Sequence, residues 1–121
     1  MVLGLRTAIY PVSDLEKGKD FYTSVLGIAP YFDEPFYVGF QVGGFELGLL
    51  PDGSSSIDGV QAYWGVEDID EELYRLNTLG GEVIEPVTDV GGGILVAAIR
   101  DPFGNRFSII KNPYFDVANV K

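Results

Sequence analysis

The chain repeats itself. Displaced by 54 residues, Thr7-Ala8-Ile9-Tyr10-Pro11-Val12-Ser13-Asp14-Leu15-Glu16 falls on Gln61-Ala62-Tyr63-Trp64-Gly65-Val66-Glu67-Asp68-Ile69-Asp70. Ala, Val and Asp coincide, Leu15 meets Ile69, Glu16 meets Asp70, and the same offset carries Val25 and Gly27 onto Leu79 and Gly81. Further on, Gly43-Gly44-Phe45-Glu46-Leu47 parallels Gly104-Asn105-Arg106-Phe107-Ser108-Ile109 with one gap. Self-similarity over a strand and a helix in one register implies two copies of one supersecondary unit. A unit of about 54 residues buries too little surface to stand alone, so the two must share a core or pair their sheets.

Within each copy the punctuation is the same. Residues 5–12 and 60–66 alternate as half-buried strands do. Asp14 and Asp68 then stand at N-cap positions, and Asp68 with Glu71 has capping-box spacing. Leu15, Gly18, Tyr22, Val25 and Leu26 recur at helical intervals, as do Ile69, Leu73, Leu76 and Leu79. Gly27 and Gly80-Gly81 close the two helices. Three strands follow each time, over 28–32, 36–42 and 45–50, then over 82–87, 94–100 and 106–111. Asp101-Pro102-Phe103-Gly104-Asn105 is a tight turn, Pro51-Asp52-Gly53-Ser54-Ser55-Ser56 a linker and Gly91-Gly92-Gly93 a loop. A βαββαβ chain has only two strands between its helices, whereas four lie between Gly27 and Asp68. The expected architecture is α+β: two tandem βαβββ modules, residues 1–53 and 58–112, forming curved mixed sheets around a cleft, with a short C-terminal tail. They make one domain of the 121 residues.

Composition restricts the chemistry. Without histidine or cysteine, the chain can build no Ser–His or Cys–His nucleophile, zinc ribbon or iron–sulfur site. Eighteen acidic against eight basic residues leave a net charge of −10, which repels nucleic-acid phosphates and anionic membranes. No apolar run approaches a membrane span, and the N-terminus lacks a basic region followed by a long apolar one. A cytoplasmic protein is expected.

The run Val12-Ser13-Asp14-Leu15-Glu16-Lys17-Gly18-Lys19-Asp20-Phe21-Tyr22-Thr23-Ser24-Val25-Leu26-Gly27, followed by Asp101-Pro102-Phe103-Gly104-Asn105, resembles the vicinal oxygen chelate superfamily. That group contains glyoxalase I, bleomycin-resistance proteins and extradiol dioxygenases. The resemblance implies the paired-module fold and a homodimer. Enzymes of the group hold a divalent metal on one side chain from the first and last strand of each module. Matched motif to motif, those positions fall on Thr7, Glu46, Gln61 and Ser108. One carboxylate, one amide and two hydroxyls make a weak, hard oxygen site. No metal or other cofactor is therefore expected, with loosely held Mg²⁺ or Mn²⁺ as the alternative.

Alternation puts Glu46, Gly48 and Leu50 on one face of their strand and Phe45, Leu47 and Leu49 on the helix-covered face. Thr7, Ile9, Gln61, Tyr63 and Ser108 share the cleft side with Glu46, whereas Tyr10, Trp64 and Val66 face the helices. For the strand at 36–42, either Phe36, Val38 and Phe40 or Tyr37, Gly39 and Gln41 line the cleft. Glu46 either anchors a cationic ligand, accepts a proton, or is tied internally to Gln61, Tyr63 or an arginine. Arg100, beside Asp101, reads as a turn or surface charge, the alternative being an arginine at the cleft mouth that meets a carboxylate. Two functions follow. One is a metal-independent binding protein holding a cationic or aromatic small molecule at Thr7, Ile9, Glu46, Gln61, Tyr63 and Ser108. The other is a lyase or isomerase of the same scaffold with Glu46 as base.

Overall fold

The computed structural model describes residues 5–57 and 61–120. The first residue of the expected strand 60–66, the expected module start at residue 58 and Met1–Gly4 lie outside them. The first module runs β1 (Thr7–Pro11), α1 (Leu15–Leu26), β2 (Phe32–Glu34), β3 (Tyr37–Val42) and β4 (Phe45–Leu50). The second runs β5 (Tyr63–Gly65), α2 (Ile69–Thr78), β6 (Glu82–Asp89), β7 (Leu95–Arg100) and β8 (Arg106–Lys111). Each module makes one open four-stranded mixed sheet, ordered β1-β4-β3-β2 and β5-β8-β7-β6. The first strand of each lies parallel to the last, and the remaining pairs are antiparallel.

The helix signals act as their chemistry requires. The Asp14 carboxylate accepts from Lys17 N and that of Asp68 from Glu71 N, satisfying amides that a helix start leaves orphaned. Gly27 closes α1 with φ of 69°, a conformation that L side chains resist. Gly18 is buried on α1, and a Cβ there would meet Val12 at 3.0–3.2 Å. Its absence lets the helix lie directly on the chain leaving β1.

β1 and β5 are shorter than the expected 5–12 and 60–66, and two further strands depart from expectation. Pro30 interrupts the expected segment 28–32, so pairing begins only at Tyr31 N, which donates to Gly39 O, and β2 lies further along the chain, at Phe32–Glu34. β6 instead extends to Asp89, with irregular register on either side of Glu85. It tolerates Pro86 because an edge strand need not donate from every amide.

The modules share one core. Tyr10, Tyr22, Phe40, Leu47, Leu49, Leu76, Ile99, Phe107 and Ile109 are buried in a single cluster. The Trp64 ring stacks on Phe107 at 5.5 Å and Tyr10 packs edge-on to Tyr22 at 5.8 Å. Arg75 of α2 reaches across to Ser24 O and Val25 O. It thereby supplies α1 with the C-terminal cation its own last turn lacks.

The ladders also revise the internal alignment. Val12 N donates to Leu50 O and Val66 N to Ile110 O, while Tyr10 pairs with Leu49 and Trp64 with Ile109. The last strands therefore correspond without a gap, at an offset of 60 residues. Arg106, not Ser108, occupies the position of Glu46, and Ser108 corresponds to Gly48. A two-residue slip preserves the inward–outward alternation, so pattern alone could not distinguish the two registers.

Candidate functional site

On the first sheet the register assembles one face from three strands, β1, β4 and β3. Thr7 pairs with Glu46, Gln41 with Glu46, Ile9 with Gly48, and Gly39 with Gly48. The choice left open for β3 falls to Tyr37, Gly39 and Gln41, because Val38 and Phe40 are buried in the core. Gly39 and Gly48 form a floor without side chains. A Cβ on Gly48 would overlap the Tyr37 phenol, 2.5 Å from Cζ, and one on Gly39 would lie 2.9 Å from Glu46 Oε2.

Above that floor the Glu46 carboxylate accepts three hydroxyls. Oε1 takes Tyr37 at 2.8 Å and Thr7 at 3.2 Å, and Oε2 takes Tyr31. These donors favour the charged form. The bond from Tyr31, opposed by desolvation and reinforced by Tyr37 and Thr7, holds Glu46 below its ordinary pKa. Burial, followed by the bond to Glu46, pushes Tyr37 up to about 12. The bond to Glu46 likewise raises Tyr31. None of the internal partners expected for Glu46, namely Gln61, Tyr63 or an arginine, bonds to it among the described residues. Tyr31 is absent from the residues expected from sequence because it falls in the segment 28–32 expected to be a strand, whereas it precedes β2 and reaches back to Glu46.

A groove of about 530 Å³ opens here, lined by Arg6, Thr7, Tyr31, Gln41, Phe45 and Glu46 together with Gly44. All belong to the first module. Ile9 lies on the same sheet face, half exposed. Arg6 turns aside to donate to Leu5 O.

The other predicted residues form a separate group on the second sheet. Tyr63 pairs with Ser108, and Ser108 with Ala98. Gln61 precedes β5 and accepts from the Tyr63 hydroxyl at 3.1 Å. Ser108 is fully buried, and its Oγ accepts from Arg106 Nε at 3.0 Å. Arg106 also pairs with Glu85. Among the described residues no hydrogen bond or ion pair joins this group to Thr7 and Glu46. A further cavity of about 430 Å³ lies where the modules meet, walled by Val25, Trp64, Phe107, Glu67 and Glu71 among others. It contains none of the six predicted residues.

The quartet Thr7, Glu46, Gln61 and Ser108 does not suit a divalent metal. It offers only one carboxylate, its other donors are neutral, and a guanidinium occupies the position where the second module would supply the matching ligand. Among the described residues no group of three or more Asp or Glu side chains is gathered to hold an ion. Nor, among them, is any helix long and apolar enough to cross a membrane.

Comparison with known proteins agrees with this architecture. The structure of a glyoxalase-related enzyme from Fulvimarina pelagi superposes with a TM-score of 0.81 at 22% identity, covering 98% of this chain and 95% of that one. A member of the Glyoxalase/bleomycin resistance protein/dioxygenase superfamily from Sphaerobacter thermophilus gives 0.74 at 24% identity, over 93% and 99% of the two chains. Lactoylglutathione lyase from Agrobacterium tumefaciens gives 0.73 at 21%, over 90% and 93%. No curated protein matches the chain. The profile of the Glyoxalase/Bleomycin resistance protein/Dioxygenase superfamily matches residues 4–109, and the chain, with its paired βαβββ modules, belongs to that superfamily.

Proposed function

We propose that the chain is a metal-independent small-molecule-binding protein of the bleomycin-resistance type, holding a cationic or aromatic group in the groove at Glu46. The carboxylate carries this reading. Three hydroxyl donors keep it ionised, yet a carboxylate offers about four acceptor sites, so one on Oε2 is left for an N–H⁺. The rings of Tyr31 and Tyr37 beside it can receive a cation or stack on an aromatic ligand. The net charge of −10 raises the local concentration of cations. Independence from metal rests on the donor set: a single carboxylate, an amide, a buried hydroxyl, and a guanidinium where a second ligand would stand.

The same bonds weigh against a lyase or isomerase using Glu46 as base, because a carboxylate stabilised in its charged form is a poorer proton acceptor. We expect a homodimer, in keeping with the half-exposed Ile9 and Tyr63 and the exposed Phe36, and light scattering will report its mass. The decisive experiment is a thermal melt in chelator across a set of cationic aromatic compounds. Binding raises Tm with ligand concentration, and Glu46→Gln abolishes the rise. Flat curves for the whole set overturn the reading. Turnover by the chelated protein that Glu46→Gln eliminates would replace it with the enzymatic one.

A further inference from the structure

The groove at Glu46 is lined by both signs of charge. Glu46 N donates to Arg6 O at 2.8 Å, so the chain entering β1 runs beside the carboxylate. Arg6 and Glu46 line the same opening of about 530 Å³, together with Thr7, Gln41 and Tyr31. The two charges do not pair with each other among the described residues. Glu46 accepts from Thr7, Tyr31 and Tyr37. Arg6 is exposed and gives one donor to Leu5 O, which leaves most of its planar fork free. The other arginines are differently placed. Arg75 and Arg106 pair with Glu72 and Glu85, and Arg100 has a buried Nε and lines neither cavity. Gln41, directly opposite Glu46 on β3, is also exposed, and its amide can both donate and accept.

We propose that the ligand of this groove is a small zwitterion, with its ammonium group on Glu46 and its carboxylate on Arg6. The inference rests on the reading of Glu46 as a cation anchor and adds the second charge. A guanidinium matches a carboxylate through two parallel bonds. Charge separates this ligand class from simple cations. A carboxylate added to a cationic ligand is repelled by Glu46 and by the net charge of −10 unless a cation in the groove receives it. Arg6 is the cation in position to do so. The phenol ring of Tyr31 and the ring of Phe45, which also lines the groove, offer faces to an apolar body between or beside the two charges.

The test compares ligands that differ only by a carboxylate, titrated in chelator at low salt and followed by amide shifts in heteronuclear NMR. Phenylalanine against phenethylamine sets the two charges close together. Para-aminomethylbenzoate against benzylamine sets them across a ring. In at least one pair the zwitterion should bind wild type more tightly by about two- to five-fold, the worth of an exposed ion pair. The pair that shows the gain reports the charge spacing. Arg6→Gln should reverse the preference in favour of the amine, and Arg6→Lys should retain it. Glu46→Gln should weaken both members of the pair. Because each preference is a ratio measured on one protein, a general effect of the substitution on folding cancels. Amines that bind wild type at least as tightly as their zwitterions overturn the inference and leave the cation reading of Glu46 standing. An unchanged ratio in Arg6→Gln does the same, as does absence of saturable binding by both zwitterions. Failure of that underlying reading shows separately, as amine binding that is indifferent to Glu46→Gln.

Discussion

Trp64 Nε1 donates to the Tyr10 hydroxyl at 3.0 Å, and these two residues occupy the same position in the two modules. When a residue touches its own repeat mate, the contact lies on the axis relating the copies. The pair therefore marks the seam between the modules. Its burial, opposed by the bond from Trp64, pushes Tyr10 up to about 12.

Tyr10→Phe leaves the indole N–H half-buried without its acceptor. We expect a loss of about 1 kcal/mol, the usual worth of one such bond. Urea unfolding followed through Trp64, the one tryptophan, measures it directly, and no loss would mean that water replaces the phenol.

Asp101 is a larger anchor. It is buried and accepts from Tyr22 Oη at 2.6 Å, Phe103 N, Asn105 N and Asn105 Nδ2, while Asn105 Nδ2 also reaches Pro11 O in the other module. Asp101→Ala strands several donors at once and should cost roughly 3 kcal/mol, with Tyr22→Phe costing about 1 kcal/mol. In a double-mutant cycle the second change should add little to the first; full additivity would show that the Tyr22–Asp101 bond contributes nothing.

Gly48→Ala tests the bare floor. The added methyl overlaps the Tyr37 phenol, so the ring must move off Glu46. We expect a cost of ~1–3 kcal/mol, typical of overpacking, and weaker binding in the groove with the far-ultraviolet spectrum unchanged. A smaller stability cost of Gly48→Ala in a Tyr37→Ala background would confirm that the phenol is what collides.

The pH profile has opposite signs at its two ends. Glu46 has a depressed folded pKa, so its contribution is present above the ordinary carboxylate range and is lost as pH falls through the folded value. The stability difference between wild type and Glu46→Gln should therefore shrink in acid. Tyr37 and Tyr10 are raised from 10.0 to about 12. Their contribution is intact below 10.0 and is lost as pH climbs towards 12. Absorbance titration should show Tyr31 and Tyr37 ionising earlier in Glu46→Gln and Tyr10 unaffected.

The sequence by itself determined the duplicated unit, the helix starts at Asp14 and Asp68, the stop at Gly27 and the inward face of β4. Those features depend on neighbours a few residues apart, through caps, turns and alternation. Only the tertiary structure decided which face of β3 joins Glu46, because Val38 and Phe40 on one side and Tyr37 and Gln41 on the other both form acceptable strands. It also decided the register of β8, where a two-residue slip leaves every side chain on its proper face and only the ladder tells Arg106 from Ser108. Asp101 looked like a turn residue and proved to be a tie between modules, since its partner Tyr22 lies 79 positions away. Local signals carry the elements, but the Glu46 site and the seam are made by residues brought together only when two sheets and their helices close on one core.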